Sequence, residues 1–236
     1  FYGLGADGTV SANKNSIKII GETTDNYVQG YFVYDSKKSG SLTVSHLRFG
    51  KSPIRSTYLV GSSNFVACHQ FNFINKYDVL KTAEHGATFL LNTPFEKEQV
   101  WDKIPKHIQE EIIEKEIKFY VIDASKVARE TGMGSRVNTI LQTCFFAIAG
   151  ILSKEDAIKR IKDAIQKTYS DKGEKIVLKN FEAVDKAIEN LHQIDYSKFI
   201  TGNLESEKMV SDNAPDFVKN VLAKIMSFEG DELPVS

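Results

Sequence analysis

Apolar positions recur along this chain at two periods, near two residues and near 3.6, and the periods take turns. Phe1-Tyr2 suits a short strand, three glycines follow as Gly3-x-Gly5-x-x-Gly8, and Val10, Ile17 and Ile20 then share one side of a helix. Tyr27 to Tyr34 is rich in aromatic and β-branched residues and predicts a strand. Leu42 to Phe49 alternates apolar with polar, the mark of a half-buried strand with an antiparallel neighbour. Tyr58-Leu59-Val60, Asn64 to Cys68, Ala87 to Asn92 and Lys118 to Asp123 are further strand candidates. Thr93-Pro94-Phe95-Glu96 reads as a capping box that opens a short helix to about Lys103, broken by Pro105. Helices are expected around Ile108, Ile112 and Ile113, and from Asp123 through Val127. Arg136 to Gly150 is apolar nearly all round, so its helix should be buried. Ser153-x-x-Asp156 opens an amphipathic helix with Ile158, Ile161 and Ile165 on one face, and Phe181 to Leu191 carries another. Beyond Gln193 the chain is polar and irregular, apart from a short helix near Phe217 to Met226.

Strands alternating with helices predict an α/β fold, a three-layer α/β/α arrangement of Rossmann-like type. The hairpin pattern over residues 27–49 makes its sheet mixed, although mostly parallel. Residues 1–192 are expected to form the α/β domain and residues 193–236 a strap or linker toward a neighbour.

Composition narrows the classes. The 236 residues are 42% apolar and 26% charged, as in soluble globular proteins. A net charge of −1 argues against a general nucleic-acid binder. Cys68 and Cys144 both sit in apolar runs and read as buried free thiols; two thiols cannot ligate an iron–sulfur cluster alone. No run is apolar enough to span a bilayer, and a cytoplasmic setting is expected. The start without Met and the ending at Gly230 to Ser236 predict a domain cut from a larger polypeptide.

The glycine turn is the first chemical candidate. Glycines let a backbone turn tightly and approach a ligand closely. The first amides of the following helix lack intrahelical partners and sit at its positive end, where an anion binds. A ligand-free strand-to-helix turn has the same pattern. Asp35 ends the second strand, where an acidic residue can hold ribose hydroxyls, and Lys37 and Lys38 beside it suit a phosphorylated ribose or a merely solvated loop. Asn138 opens the buried helix after Gly132 and Gly134 and suits either a ligand contact or a helix-terminal hydrogen bond. Asn180 precedes Phe181 and reads as an N-cap. The five histidines are scattered without metal-ligand spacing, and no nucleophile–base–acid set declares itself. No catalytic and no metal-binding residue is therefore expected.

Several long motifs resemble one family. Gly3-Leu4-Gly5-Ala6-Asp7-Gly8-Thr9-Val10, running on to Lys18, is similar to the opening of the third, gamma-type domain of pyruvate:ferredoxin (flavodoxin) oxidoreductase. So are Gln29-Gly30-Tyr31-Phe32 with Asp35-Ser36-Lys37-Lys38, Thr43 to Gly50, Phe65 to His69, Phe89 to Asn92, Asn180-x-x-Ala183-Val184-Asp185 and the closing Gly230 to Ser236. The resemblance spans essentially the whole chain. It implies an enzyme of electron transport and anaerobic metabolism that uses thiamine diphosphate and iron–sulfur clusters to decarboxylate pyruvate oxidatively. Acetyl goes to coenzyme A and electrons go to ferredoxin or flavodoxin. The family places coenzyme A contact on this domain. Carried over by motif, the contacts are Gly5, Ala6, Asp7, Gly8 and Thr9 of the turn, Lys37 of the cationic loop, Asn138 and Asn180. Ala6 stands where the family often has Ser, and before Asp7-Gly8 it breaks the Gly-Asp-Gly of a thiamine site. The resemblance further implies other domains of one polypeptide as partners, a homodimeric full-length enzyme, and an excised domain inactive alone. The rival readings are an NADP-dependent oxidoreductase domain and a purely architectural docking domain.

Overall fold

A computed structural model describes residues 1–34, 40–196, 199–201, 204–205 and 208–235. One seven-stranded sheet organises it. Its strands are β1 (Tyr2–Leu4), β2 (Tyr27–Tyr34), β3 (Leu42–Gly50), β4 (Ser63–Cys68), β5 (Ala83–Asn92), β6 (Lys118–Ile122) and β7 (His192–Gln193), in the spatial order β2-β3-β1-β4-β5-β6-β7. β1, β4, β5 and β6 pair in parallel at the centre. β2 and β3 form the expected hairpin, with β3 antiparallel to both β2 and β1. β7 closes the far side antiparallel to β6. Because two reversals cancel, β2 runs with the central strands, and only β3 and β7 oppose them.

Side chains of a strand point alternately to its two faces. Val66, Cys68, Phe89, Leu91, Phe119 and Val121 therefore share one face, with the Phe89 and Phe119 rings stacked at 5.5 Å. This face is covered by a 3₁₀ turn at Phe71–Asn75 and by α2 (Lys106–Glu114), which buries Ile108 and Ile112. Ala67, Leu90 and Ile122 look the other way, against α3 (Ala124–Glu130), α4 (Asn138–Ile148) and α6 (Glu174–Glu189). α1 (Thr9–Thr23) joins them by packing Ile19 and Ile20 with Phe145 and Phe146 of α4. α5 (Lys154–Tyr169) lies with α4 and α6, burying Ala157, Ile161 and Ile165 at intervals of four residues. The Ser153 hydroxyl caps it by accepting from the Asp156 amide at 3.1 Å, at the helix start the sequence predicts. Such a cap is worth about 1 kcal/mol. The result is three layers, α/β/α.

Three local expectations differ, and a fourth is met with a change of pitch. Tyr58-Leu59-Val60 is loop, not strand: Tyr58 is exposed, its ring beside Arg48. Thr93 opens no helix. Its hydroxyl accepts from Phe95, two residues on, and the chain makes turns that bury Val100, Trp101 and Ile104 together. α6 begins at Glu174 after Gly173, so Asn180 lies in mid-helix and is no N-cap. The expected helix near Phe217 to Met226 is present, with a π turn at Val218–Leu222 running into the short α7 (Ala223–Met226).

Candidate functional site

In an open α/β sheet, ligands bind beyond the carboxyl ends of the strands where the chain's direction of travel across the sheet reverses. Here that place lies between β1 and β4. From β1 the chain passes through α1 to β2 on one side, while β4 to β6 progress to the other. Polar residues collect at these strand ends: Asp7 after β1, His69 and Gln70 after β4, Asn92 closing β5.

The glycine turn is built from inside. Asp7 folds its carboxylate back over the turn: Oδ2 accepts from the Leu4 amide and Oδ1 from the Thr9 amide, both at 2.8 Å. The helix start thus already holds one anion, supplied by the chain. Gly8 sits at φ 88°, a left-handed conformation open to glycine. A Cβ on it would lie 2.2 Å from Asn138 Nδ2, which donates to the Asp7 carbonyl at 2.8 Å. Gly3 is glycine for a similar reason, since a Cβ there would meet the Thr9 side chain at 2.6 Å. The spacing Gly3-x-Gly5-x-x-Gly8 therefore serves internal packing first.

Thr9 turns its hydroxyl inward, 2.9 Å from His69 Nδ1. His69 is 4% exposed, and burial pulls its imidazole down to about 4 against the opposing pull of Asp7, so the ring is neutral. Its backbone ties the neighbouring strand ends together: the amide donates to the Tyr2 carbonyl at 2.9 Å, and the carbonyl accepts from Asn92 Nδ2 at 3.0 Å. Asn92 Oδ1 in turn accepts from the Ala124 amide at the start of α3. Gln70 Nε2 reaches Asp7 Oδ2 at 3.5 Å. Two buried polar atoms of this network, His69 Nε2 and Asn138 Oδ1, have no partner among the described residues.

The structure brings Gly5, Ala6, Asp7, Gly8, Thr9 and Asn138 into one cluster, with different parts. Gly5 is committed to the loop from β2, its amide donating to Ser41 and its carbonyl accepting from Gly40. Ala6 is exposed at φ 73°, the outermost point of the turn. Val10 and Ser11 follow in the first turn of α1, their amides without an acceptor among the described residues. Ser11 is exposed. Asn180 stands apart in the interior: Nδ2 donates to Ile176, and Oδ1 accepts from Thr139, the residue after Asn138, at 3.4 Å. It braces the start of α4. Lys37 and Lys38 lie outside the described residues.

Reading the sequence missed His69, Gln70 and Asn92 as members of the site. The signal was their place directly at the ends of the buried strands Phe65–Cys68 and Phe89–Asn92, not any spacing among themselves. Among the described residues no group of three His, Cys, Asp or Glu is placed to hold a metal. Burial pushes the Cys68 thiol up to about 12 and raises that of Cys144 as well, which keeps both protonated. No helix among the described residues is long and apolar enough to cross a membrane.

Comparison with known proteins follows from this geometry. The family model described as pyruvate ferredoxin/flavodoxin oxidoreductase matches residues 1–190, and one described as a domain of unknown function matches residues 203–236. The chain is 56% identical over 237 residues to a putative pyruvate-flavodoxin oxidoreductase of Synechocystis sp., covering all of this chain and 20% of that protein. It is 50% identical over 236 residues to the pyruvate:ferredoxin oxidoreductase of Moorella thermoacetica, again covering all of this chain and 20% of the relative. The chain thus spans about one fifth of the length of the curated relatives it matches. In fold it is similar to the pyruvate oxidoreductase subunit PORC of Thermotoga maritima, with a TM-score of 0.63 at 17% identity over 81% of this chain and 94% of that one. It is similar also to a 2-oxoglutarate:ferredoxin oxidoreductase of Magnetococcus marinus, solved with 2-oxoglutarate, coenzyme A and succinyl-CoA bound. There the TM-score is 0.58 at 18% identity, covering 80% of this chain and 29% of that one.

Proposed function

This chain belongs to the pyruvate ferredoxin/flavodoxin oxidoreductase family, and on that premise we propose that it is the coenzyme A-contacting domain of an enzyme that decarboxylates pyruvate oxidatively. In that enzyme acetyl passes to coenzyme A and electrons pass to ferredoxin or flavodoxin. The work is shared with other domains of a longer polypeptide, acting as a cytoplasmic homodimer. Residues 1–192 are the contacting domain and residues 193–236 a strap toward a neighbour. The break between the two matched family models supports that division.

One observation carries the reading: a pinned turn at the carboxyl end of β1 leaves the Val10 and Ser11 amides of α1 without a partner among the described residues. Two such donors at a helix start suit a phosphate oxygen. The Asp7 carboxylate already caps Thr9 and repels a second anion placed beside it. A phosphate is therefore received on the outer side of the first turn, past Ala6, rather than inside the loop. Asn138 holds the Asp7 carbonyl and fixes the turn to α4, with its buried Oδ1 left as an acceptor at the edge of the site. Asp7, Thr9, Asn138 and Asn180 position the turn, and the outward amides bind. Lys37 supplies a cation for the 3′-phosphate.

Coenzyme A supplies the thiol that accepts the acetyl group. The residues of this chain orient it and add no acid, base or nucleophile. Both thiols are buried and protonated, which suits the iron–sulfur clusters being held by other parts of the enzyme, and the thiamine diphosphate is assigned there with them. Calorimetric titration of the full-length enzyme with coenzyme A, dephospho-coenzyme A and NADPH tests the reading. Coenzyme A should bind more tightly than its dephospho form and NADPH should be silent; NADPH binding with coenzyme A silent overturns it.

A further inference from the structure

A cleft of about 740 Å³ opens at the carboxyl end of β1, on the side of the sheet away from α1. Its inner wall is Leu4 and Leu42 at the strand ends, with Phe73 and Tyr77 from the stretch that follows His69 and Gln70. Its outer wall comes from far along the chain, from Ile225 and Met226 of α7 and from Phe228. The outer wall is anchored. The Phe228 ring meets the Tyr77 ring edge-on at 5.6 Å, Lys81 Nζ donates to Glu232 Oε1 at 2.9 Å, and Lys224 lies 3.7 Å from Glu232. Its apolar surface is nevertheless left uncovered: Ile225, Met226 and Phe228 are 53%, 52% and 58% exposed.

Aromatic and aliphatic side chains on two facing walls suit a flat apolar group. The polar groups among them are carboxamides. Gln70 Nε2 reaches Asp7 Oδ2 only at 3.5 Å, and Gln70 Oε1 and the Asn72 carboxamide have no partner among the described residues. Carboxamides match the edge of a heteroaromatic base, adenine above all. The two lysines of the cleft, Lys76 and Lys208, are exposed, and Lys208 is paired with Asp212 at 2.7 Å. Their charge belongs to the rim and not to the interior.

We infer that this cleft is a second subsite, which takes the planar base of the ligand whose phosphate the turn receives, and that the carboxy-terminal segment around α7 is its outer wall. The inference rests on the reading of coenzyme A as that ligand and names the end that lies here, the adenine. Leu4 borders the cleft on one side of the turn, and Val10 and Ser11 open α1 on the other. The ligand therefore lies across the exposed Ala6. The opposite end of coenzyme A carries the reacting thiol, which must reach groups outside this chain. The non-reacting end is the one that a walled cleft can hold throughout, and contacts to such a remote part position the part that reacts.

The test uses the full-length enzyme, with calorimetric binding of coenzyme A and of its two halves, adenosine 3′,5′-bisphosphate and phosphopantetheine. Ile225→Trp fills the cleft from a half-exposed position. It should weaken coenzyme A and the bisphosphate alike, by roughly tenfold or more, and leave phosphopantetheine unchanged. Ile225→Ala, which cannot crowd the fold, should show the same order of ligands with a loss of roughly threefold. Weakening of phosphopantetheine with the bisphosphate unchanged puts the other end in the cleft and overturns the inference. Normal binding of all three ligands by both variants means an unused cleft and overturns it too, while the role of the turn stands on Ser11→Pro. Failure of the unmodified enzyme to bind coenzyme A removes the reading on which both rest.

Discussion

Asn138 Nδ2 donates to the Asp7 carbonyl at 2.8 Å across 131 residues of sequence, and it occupies the space that a side chain on Gly8 would need. One amide thus explains why the turn requires glycine and how α4 is fixed to β1. Gly8→Ala should destabilise the protein for two separable reasons. A left-handed φ costs an alanine about 1–2 kcal/mol, and the methyl collides with Asn138. Gly8→Ala combined with Asn138→Gly removes the collision, and the Asn138→Gly single variant accounts for the lost hydrogen bond to Asp7. In a double-mutant cycle by urea denaturation, the pair should show a favourable coupling of at least about 0.5–1 kcal/mol. Additive losses would mean that the two residues do not meet.

Asp7 is the turn's own anion. Asp7→Asn keeps the size but loses the charge on two hydrogen bonds to the Leu4 and Thr9 amides. Charge-assisted bonds are roughly twice as strong as neutral ones, so a loss of about 1–2 kcal/mol is expected. Chemical denaturation at neutral pH measures it. An unchanged midpoint would show that the carboxylate does not cap the turn.

His69 predicts a pH dependence with a definite sign. Burial lowers its imidazole from 6.5 to about 4 in the folded chain. Between those values the unfolded state binds the extra proton, so stability is intact above about pH 6.5 and falls as pH drops toward 4. The slope from this one group approaches about 1.4 kcal/mol per pH unit. His69→Gln should be less stable at pH 7 because Thr9 loses its partner, yet should lose less on acidification to pH 5. Parallel stability curves for the two proteins would refute the burial of a neutral imidazole.

The sequence made the alternation of Leu42 to Phe49, the apolar Arg136 to Gly150 run and the helix start at Ser153 readable, because each depends on neighbours within a few residues. It misled where a local signal was outbid by burial at a distance. Thr93-Pro94-Phe95-Glu96 has the letters of a helix start, but Val100, Trp101 and Ile104 are all buried and the chain turns to place them. Asn180 reads as a cap because a helical period of apolar residues in the sequence can be counted from Phe181. The buried series Val177, Asn180, Ala183, Val184 and Ala187 shows that the helix had started earlier. The glycine spacing pointed to the turn but not to the contacts inside it. That Gly8 makes room for Asn138, and that Thr9 faces His69, are facts of residues brought together from far along the chain.

Lys37 offers a test by ligand pair. A charge-assisted contact to a phosphate monoester is worth about 1.5–3 kcal/mol, roughly tenfold to a hundredfold in affinity. Lys37→Ala in the full-length enzyme should weaken coenzyme A by that order and leave dephospho-coenzyme A nearly unchanged. Lys38→Ala serves as the control and should matter less. Equal weakening of both ligands by Lys37→Ala would remove the lysine from the 3′-phosphate.

The central claim is that outward amides of the first turn of α1 receive a phosphate of coenzyme A, and Ser11→Pro addresses it most directly. Proline in the first helical turn deletes one amide donor without breaking an intrahelical bond. Ser11→Ala deletes only the hydroxyl. The measurement is the dissociation constant of coenzyme A for the full-length enzyme, with pyruvate-driven reduction in the absence of coenzyme A as the check on the rest of the machinery. Ser11→Pro should bind coenzyme A about tenfold or more weakly, Ser11→Ala should bind it normally, and both should retain the reduction step. Normal binding by Ser11→Pro, or loss of the reduction step along with binding, would contradict the assignment.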